Sequence, residues 1–187
     1  MLLKQAVCKN FRLLQDVTFD FDVDTSDTGG YGFTVIRGEN SFGKTTTLNA
    51  LRWAFFGSEV LGPEYKLFSQ FNKSDSVMVS VEIAFYVQET FTNKNKQTEF
   101  GWVEYKLKRS VTEKRSSNQV ADRGNDSLLL QKKDRGRWVD IENNHAWLEN
   151  QIPSKVDQLF FIDGDNALSF VEASRERRRD LVKRAAT

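Results

Sequence analysis

Alternating hydrophobic and polar positions mark several strands along the chain. Residues 77, 79, 81, 83 and 85 are valine, isoleucine or phenylalanine, and the positions between them are less apolar, which is the period of a strand buried on one face. Apolar residues recur between 102 and 111, and the stretch 90–98 is polar and turn-forming. This pattern predicts an antiparallel hairpin with a long tip. The same alternation at residues 17–23 predicts a half-buried strand.

Shorter apolar runs and one polar segment complete the central part of the chain. Strands are predicted at residues 2–8, 128–130 and 138–141, and a short helix is predicted at 144–150. Residues 112–126 are polar and charged without any period, so they are predicted to form a mobile loop.

A strand, a glycine-bearing loop and a helix are predicted in succession at residues 32–57. The apolar run GFTVIR is expected to be a buried strand, and apolar residues at helical spacing predict a helix over 44–56 that ends at Gly57. Between them lies G-x-x-x-x-G-K-T, from Gly38 to Thr45. This order is the context that a phosphate-binding loop requires. The alternative is an ordinary glycine turn followed by a surface lysine.

Each residue type in this loop suits the binding of a nucleoside triphosphate. Gly38 and Gly43 allow a tight turn in which successive N–H groups point at one phosphate. The start of the following helix adds N–H donors and the positive end of its dipole. Lys44 can reach the β- and γ-phosphates as a point charge, and the Thr45 hydroxyl can ligate Mg²⁺. ATP and Mg²⁺ are therefore the expected cofactors.

A second candidate for chemistry follows the apolar run at 159–162, which is predicted to be the end of a buried strand. Asp163 comes directly after it, where α/β ATP-binding folds place ligands. Asp163 could hold Mg²⁺ or orient the attacking water. The same residues fit an ordinary Asp-Gly turn in which Asp165 caps the next helix. From about residue 166 the pattern is helical, and the basic segment 171–187 fits a solvated helix face, the start of a coiled coil or a contact with DNA phosphates.

Composition narrows the class of protein. The 187 residues, 39% of them hydrophobic, suffice for one large domain or one lobe of a split domain. No apolar run of about 18 residues and no signal-peptide pattern occur, which predicts a cytoplasmic protein without a membrane segment. The single cysteine, Cys8, excludes an internal disulfide and is expected to be a buried strand residue. The formal net charge of +1 argues against a globally basic nucleic-acid binder.

Three segments together resemble the N-terminal lobe of the SMC-like ABC ATPases. They are NFRLLQDVTFDF at 10–21, GENSFGKTT at 38–46 and LNALRWAFFG at 48–57. This group includes the structural-maintenance-of-chromosomes proteins, the SbcC-type repair ATPases and the DndD-type proteins of DNA phosphorothioation. FFIDGD at 160–165 is similar to the FFFDGE stretch of the DndD-type members, which narrows the resemblance to these, with the SbcC type next.

The resemblance implies an α/β fold of the P-loop NTPase class. The expected form is the N-terminal lobe of an ABC/SMC-type head, with a mixed sheet and an antiparallel β subdomain packed on the P-loop helix. The lobe is expected to span residues 1–170, and residues 171–187 are expected to begin a helix that leads towards a coiled coil.

The resemblance also implies a role for each matching residue. Lys44 and Thr45 take the phosphate and Mg²⁺ roles, and Arg12 lies close to the nucleotide. Asp163, in the position of the Q-loop glutamine, senses Mg²⁺ and the γ-phosphate and is a candidate catalytic residue together with Lys44. The other implied contacts with the nucleotide come from Gly38, Asn40, Ser41, Gly43 and Thr46. Ser41 and Phe42 stand where the family usually has glycine and a small residue, so a bulky ring lies next to the phosphates.

Hydrolysis in this family needs further parts. A signature loop, an acidic Walker B strand and a switch histidine come from a C-terminal lobe, and the sequence shows no match to them; His145 is expected to be a surface residue. The chain is therefore expected to bind ATP weakly or not measurably alone, without turnover. Its expected partners are the C-terminal lobe, a second head in a homodimer, DNA indirectly, and other proteins of a DNA modification, repair or phage-defence system. The alternatives are a small-molecule kinase, a transporter-type ABC domain and a non-catalytic nucleotide-binding module.

Overall fold

The computed structural model describes residues 1–26, 34–37, 39, 43–62, 65–69, 71–92, 96–116, 119–153, 174 and 176 of the 187. The strands are β1 (Leu2–Phe11), β2 (Leu14–Asp20), β3 (Ser76–Thr92), β4 (Thr98–Ser116), β5 (Gln119–Arg123), β6 (Ser127–Asp134) and β7 (Arg137–Asp140). The helices are α1 (Lys44–Phe56), α2 (Asn144–Gln151) and a short 3₁₀ turn at Ser58–Leu61.

All seven strands within the described residues belong to one sheet. Its order is β2-β1-β3-β4-β6-β7, and β5 also pairs with β4. Every strand pair in the described residues is antiparallel. An antiparallel sheet packed on one helix is compatible with the expected α/β fold, whereas a parallel pair, which a mixed sheet requires, does not occur within the described part of the chain.

The core lies between α1 and one face of this sheet. β3 points its odd-numbered residues inward, among them Ile83 and Phe85, which are fully buried. From α1, the ring of Phe55 meets that of Phe85 edge-on at 5.8 Å, and the ring of Trp53 lies 5.7 Å from that of Phe11 in β1. Burial of apolar area, at about 25 cal/mol per Å², thus holds α1 against the middle of the sheet.

The predicted hairpin is confirmed and is longer than expected. β3 and β4 pair without a break from Ser76 opposite Lys114 to Thr92 opposite Thr98. Of the polar stretch 90–98, residues 90–92 therefore belong to β3 and Thr98 begins β4, because this end of the two strands is solvent-exposed and polar side chains are tolerated there.

The prediction of a mobile loop at 112–126 is wrong. β4 runs through to Ser116, and β5 returns along it with Glu113 opposite Arg123. The polar composition of the segment was misleading because some of its charged side chains are inside the protein. The carboxylate of Glu113 is fully buried and forms an ion pair with Arg123.

The buried strand predicted at 32–37 is also wrong for the four residues that the structure describes, 34–37. They are irregular, and Val35 and Ile36 are 56% and 42% exposed. An apolar run becomes a buried strand only when a neighbouring strand pairs with its backbone groups. β1 already has β2 and β3 on its two sides, and none of the described strands pairs with 34–37.

The remaining sequence predictions divide into confirmed and untested ones. The first strand, helix α1 with its end at Gly57, the strands β6 and β7, and helix α2 are confirmed. The half-buried strand predicted at 17–23 is confirmed as β2, which begins and ends three residues earlier, at Leu14–Asp20. Cys8 is buried and His145 is exposed, as expected. The strand at 159–162, the Asp163 turn and most of the helix from 166 lie outside the described residues. The domain boundary at 170 stays a prediction.

Candidate functional site

Helix α1 begins at Lys44, directly after Gly43. Gly43 has φ +92°, in the left-handed region that favours glycine. No side chain caps the helix, and its first turn contains no acidic residue. The N–H of Thr47 bonds to the carbonyl oxygen of Gly43 at 2.8 Å, which is the first bond of the helix. The preceding N–H groups have no acceptor within the helix, so this end suits an anion.

Lys44 and Thr45, the first two residues of α1, have the side chains that the sequence analysis assigns to phosphate and Mg²⁺. The Nζ of Lys44 donates to the backbone carbonyl oxygen of Glu39 at 2.7 Å. Thr45 is exposed and Thr46 is half-buried. The Thr45 hydroxyl is a hard oxygen donor of the kind that Mg²⁺ prefers. Within the described residues, no group of three or more His, Cys, Asp or Glu side chains could hold a metal ion.

Arg12 lies in the β1–β2 turn, next to the start of α1. A Cβ atom on Gly43 would be 3.7 Å from Cδ1 of Leu13, so this turn packs against the loop residue that precedes Lys44. The Arg12 backbone has φ +51°, and its N–H donates to the carbonyl oxygen of Leu67 at 2.8 Å. The Arg12 guanidinium lies over the ring of Tyr65, 4.9 Å from its centroid.

Tyr65 and Leu67 belong to a short irregular segment, residues 65–69, which links this turn to α1 and the sheet. The Tyr65 hydroxyl accepts from Nδ2 of Asn49 in α1 at 3.2 Å. The backbone carbonyl of Tyr65 accepts from Nη2 of Arg123 in β5. The neighbouring Phe68 forms an antiparallel bridge with Phe11 at the end of β1. The 65–69 segment therefore contacts α1, β5 and the end of β1 as well as Arg12.

A buried carboxylate lies behind this segment. Oε2 of Glu113 accepts the N–H groups of Leu67 and Phe68 at 3.2 and 3.0 Å, and its Oε1 accepts from Nε of Arg123 at 2.6 Å. The Glu113 side chain is fully buried and that of Arg123 is 19% exposed. A carboxylate removed from water needs such donors, because an unpaired buried charge is strongly destabilising.

A second buried charge holds the other end of α1. Arg109 in β4 donates from Nε to the carbonyl oxygen of Ala54 at 3.0 Å and from Nη2 to that of Phe55 at 3.4 Å. Asp126 is its ion-pair partner at 3.5 Å, and burial lowers the pKa of Arg109 although Asp126 acts to raise it. The Ser58 hydroxyl lies within hydrogen-bonding distance of Asp126 and accepts from the Trp53 indole.

The structure thus brings Arg12, Gly43, Lys44 and Thr45 to one end of α1. Four predicted site residues lie outside the described residues: Gly38, Asn40, Ser41 and Asp163. Phe42, the bulky residue of the predicted loop, also lies outside them.

The supporting roles of five side chains were not predicted from the sequence: Tyr65, Arg109, Glu113, Arg123 and Asp126. One sequence pattern could have indicated two of them. The inward positions of β4, counted in twos from Tyr105, include Arg109 and Glu113, and a charge at an inward strand position indicates a buried partner.

None of the helices that the structure describes is long and apolar enough to cross a bilayer.

A search of curated proteins found no match to the chain. A protein-family model described as an AAA domain matches residues 6–186, nearly the whole chain. The chain therefore belongs to this AAA domain family, which consists of SMC-like P-loop ATPases.

Proposed function

We propose that this chain is the ATP-binding N-terminal lobe of an SMC-like ATPase that acts on DNA. One structural relationship carries the proposal. A left-handed Gly43 opens an uncapped helix whose first residues are Lys44 and Thr45, and the turn that holds Arg12 packs beside it. In this proposal the backbone N–H groups at the helix start and the Lys44 ammonium hold the triphosphate, and the Arg12 guanidinium reaches it from the adjoining turn.

Each residue of the site has a part in holding ATP and Mg²⁺. Lys44 would leave the Glu39 carbonyl and contact the β- and γ-phosphates, and the Thr45 hydroxyl would ligate Mg²⁺, which neutralises phosphate charge when bound. Arg12 would contact the nucleotide from the β1–β2 turn. The resemblance to the SMC-like ATPases supports further contacts from Gly38, Asn40, Ser41 and Thr46 and a Mg²⁺-sensing role for Asp163.

Hydrolysis is proposed to need a second lobe and a second head. In the proposed cycle, ATP bound to this lobe meets a signature loop from the other head of a homodimer, and a glutamate from a C-terminal lobe activates the water. Closing and opening of the heads would then be a two-state switch biased by the nucleotide. The DndD-like FFIDGD stretch favours a role in DNA phosphorothioation or a related repair or defence system, together with the other proteins of that system, in the cytoplasm.

ATP binding by the chain is the first test. Titration to millimolar ATP with Mg²⁺, followed by calorimetry or by NMR, is expected to show weak, saturable binding that Lys44→Ala reduces at least tenfold. Lys108→Ala is the matched control, because Lys108 is an exposed lysine of β4 on the face opposite α1, and it is expected to leave binding unchanged. Equal affinities for the wild type and Lys44→Ala would contradict the proposal.

The proposed need for a second lobe in hydrolysis and the proposed action on DNA have separate tests. The isolated chain is expected to give no sustained ATP hydrolysis, and sustained turnover would show that the catalytic base is local. In the complete protein, duplex DNA is expected to change the ATPase rate. A rate that is the same with and without DNA would favour a nucleotide-binding or kinase role instead.

A further inference from the structure

Arg12 is connected through the backbone to a buried carboxylate. The Arg12 N–H donates to the carbonyl oxygen of Leu67 at 2.8 Å, while the N–H of Leu67 itself donates to Oε2 of Glu113 at 3.2 Å. The N–H of Phe68 donates to the same oxygen at 3.0 Å. The peptide groups around Leu67 thus bond on one side to the Arg12 turn and on the other to Glu113.

The position of Glu113 is itself fixed. Its side chain is fully buried, and Nε of Arg123 lies 2.6 Å from Oε1. Arg123 also donates to the carbonyl oxygen of Tyr65, so one guanidinium bridges the carboxylate and the 65–69 segment. Charge-assisted bonds in such a water-excluded place are shorter and stronger than neutral ones.

The Arg12 backbone needs this support. Both Asn10 and Arg12 have positive φ, +55° and +51°, a conformation that L residues adopt at a cost and that persists only where surrounding bonds hold it. The bond to Leu67 restrains the backbone, and the Tyr65 ring restrains the guanidinium. Both restraints come from the 65–69 segment, which Glu113 and Arg123 hold.

We propose that Glu113 is a positioning residue for the nucleotide site, which acts through the 65–69 segment to hold the Arg12 turn against Gly43 at the start of α1. The inference rests on the proposed function, because Arg12 can contact a nucleotide only if the loop binds one. A carboxylate with a purely structural role would stabilise the core without any specific link to Arg12.

A double-mutant cycle separates these two roles. ATP binding with Mg²⁺ is measured in the complete protein, with its C-terminal lobe, for the wild type, Arg12→Ala, Glu113→Gln and the double variant, well below the unfolding temperature of each. Each single variant is expected to weaken binding about tenfold, and the double variant is expected to lie within about twofold of Arg12→Ala, because the second change removes nothing further. Glutamine keeps the size of the side chain and loses the charge that Arg123 contacts.

Glu104→Gln is the matched control. Glu104 is also a β4 carboxylate with two cationic partners, Lys4 and Lys133, and its side chain is 11% exposed. Its partners are in β1 and β6, not in the 65–69 segment. The Glu104→Gln variant is expected to lower the unfolding temperature while leaving ATP affinity within about twofold of the wild type.

The outcomes distinguish the inference from the proposed function. A complete protein, with its C-terminal lobe, that fails to bind ATP overturns both. Lys44-dependent binding that Glu113→Gln leaves unchanged, or losses that multiply in the double variant, overturns the inference alone. If Glu113→Gln does not fold, Arg123→Lys takes its place, since lysine keeps the charge but lacks the planar fork that bridges Glu113 and Tyr65. Arg123→Lys is expected to weaken ATP binding about threefold on its own and to cause no further loss when it is combined with Arg12→Ala.

Discussion

Arg109 donates a hydrogen bond from Nε to the carbonyl oxygen of Ala54 at 3.0 Å. Its Nη2 donates to the next carbonyl, that of Phe55, at 3.4 Å. The last carbonyl groups of a helix lack partners within it and form the negative end of its dipole, so a buried cation is well placed there. The helix that starts at Lys44 is thus fixed at its far end by β4.

Loss of Arg109 is predicted to destabilise the fold strongly. Arg109→Met removes the donor to two buried carbonyls and leaves Asp126 without its ion-pair partner, so the free energy of unfolding is expected to fall by about 3 kcal/mol. Urea denaturation measures the change. Lys114→Ala breaks an ion pair with Asp122 in which both side chains are more than 60% exposed, and it is expected to lose less than about 0.5 kcal/mol. Similar losses in the two variants would contradict this account.

Gly43→Ala is predicted to weaken nucleotide binding by way of the backbone. A Cβ there would find only ordinary contacts at 3.7 Å or more, so the cost of about 1–2 kcal/mol comes from φ +92° alone. Relief of that strain would move the first N–H groups of α1, and ATP affinity is expected to fall about tenfold.

Gly136→Ala is the control for this prediction. Gly136 has φ +82° in the β6–β7 turn, with no atom within 4 Å of an added Cβ. The same loss of stability is expected, with unchanged ATP affinity. Equal effects of the two variants on binding would show that the conformation of Gly43 has no special part in the site.

Helix α1 was predictable because residues next to it in the sequence mark its two ends. The segments that were mispredicted take their conformation from pairing with other parts of the chain. The bounds of α1 follow from Gly43-Lys44 at its start and Gly57 at its end, which need no distant partner. The strand at 119–123 depends instead on the pairing of β5 with β4 and on the ion pair between Glu113 and Arg123, ten residues apart in the sequence. A polar composition cannot show which charges are buried in pairs.

The site was predictable to the same limited extent. The phosphate-loop pattern predicts Lys44 and Thr45 as site residues from their spacing, and the resemblance adds Arg12; these roles stay predictions. The support from Glu113 depends on its hydrogen bonds with Leu67 and Phe68, and that from Tyr65 depends on the stacking of the Arg12 guanidinium on its ring. Each contact joins residues about fifty positions apart, which no local pattern encodes.

Glu104 is predicted to make stability depend on pH. Burial acts to raise its pKa, but hydrogen bonds from Lys133 and Lys4 outweigh burial, and its pKa lies below the ordinary 4.5. The contribution of Glu104 to the free energy of unfolding is therefore complete above the ordinary pKa. It is lost as the pH falls through the lower pKa of the folded state. Relative to the wild type, Glu104→Gln is expected to lose about 1 kcal/mol at neutral pH and almost nothing near about pH 2, measured by urea denaturation. A loss that does not change with pH would contradict this.

Cys8 is predicted to be unreactive in the folded protein. Burial raises the pKa of its thiol from 9.0 to about 12, so the reactive thiolate is scarce at mildly alkaline pH, and the side chain has no exposed surface. A thiol reagent such as dithionitrobenzoate is expected to label the native chain at least a hundredfold more slowly than the chain in denaturant. Equal labelling rates would show that β1 opens readily between its neighbours.

The most direct test of the central claim is a crystal structure determined with ATP and Mg²⁺ at millimolar concentration. The account predicts the triphosphate at the start of α1, with its β- and γ-phosphates in contact with the Lys44 ammonium, Mg²⁺ on the Thr45 hydroxyl, and the Arg12 guanidinium beside the nucleotide. A nucleotide bound elsewhere, or a helix start closed by the Phe42 ring with no phosphate near Lys44, would contradict it.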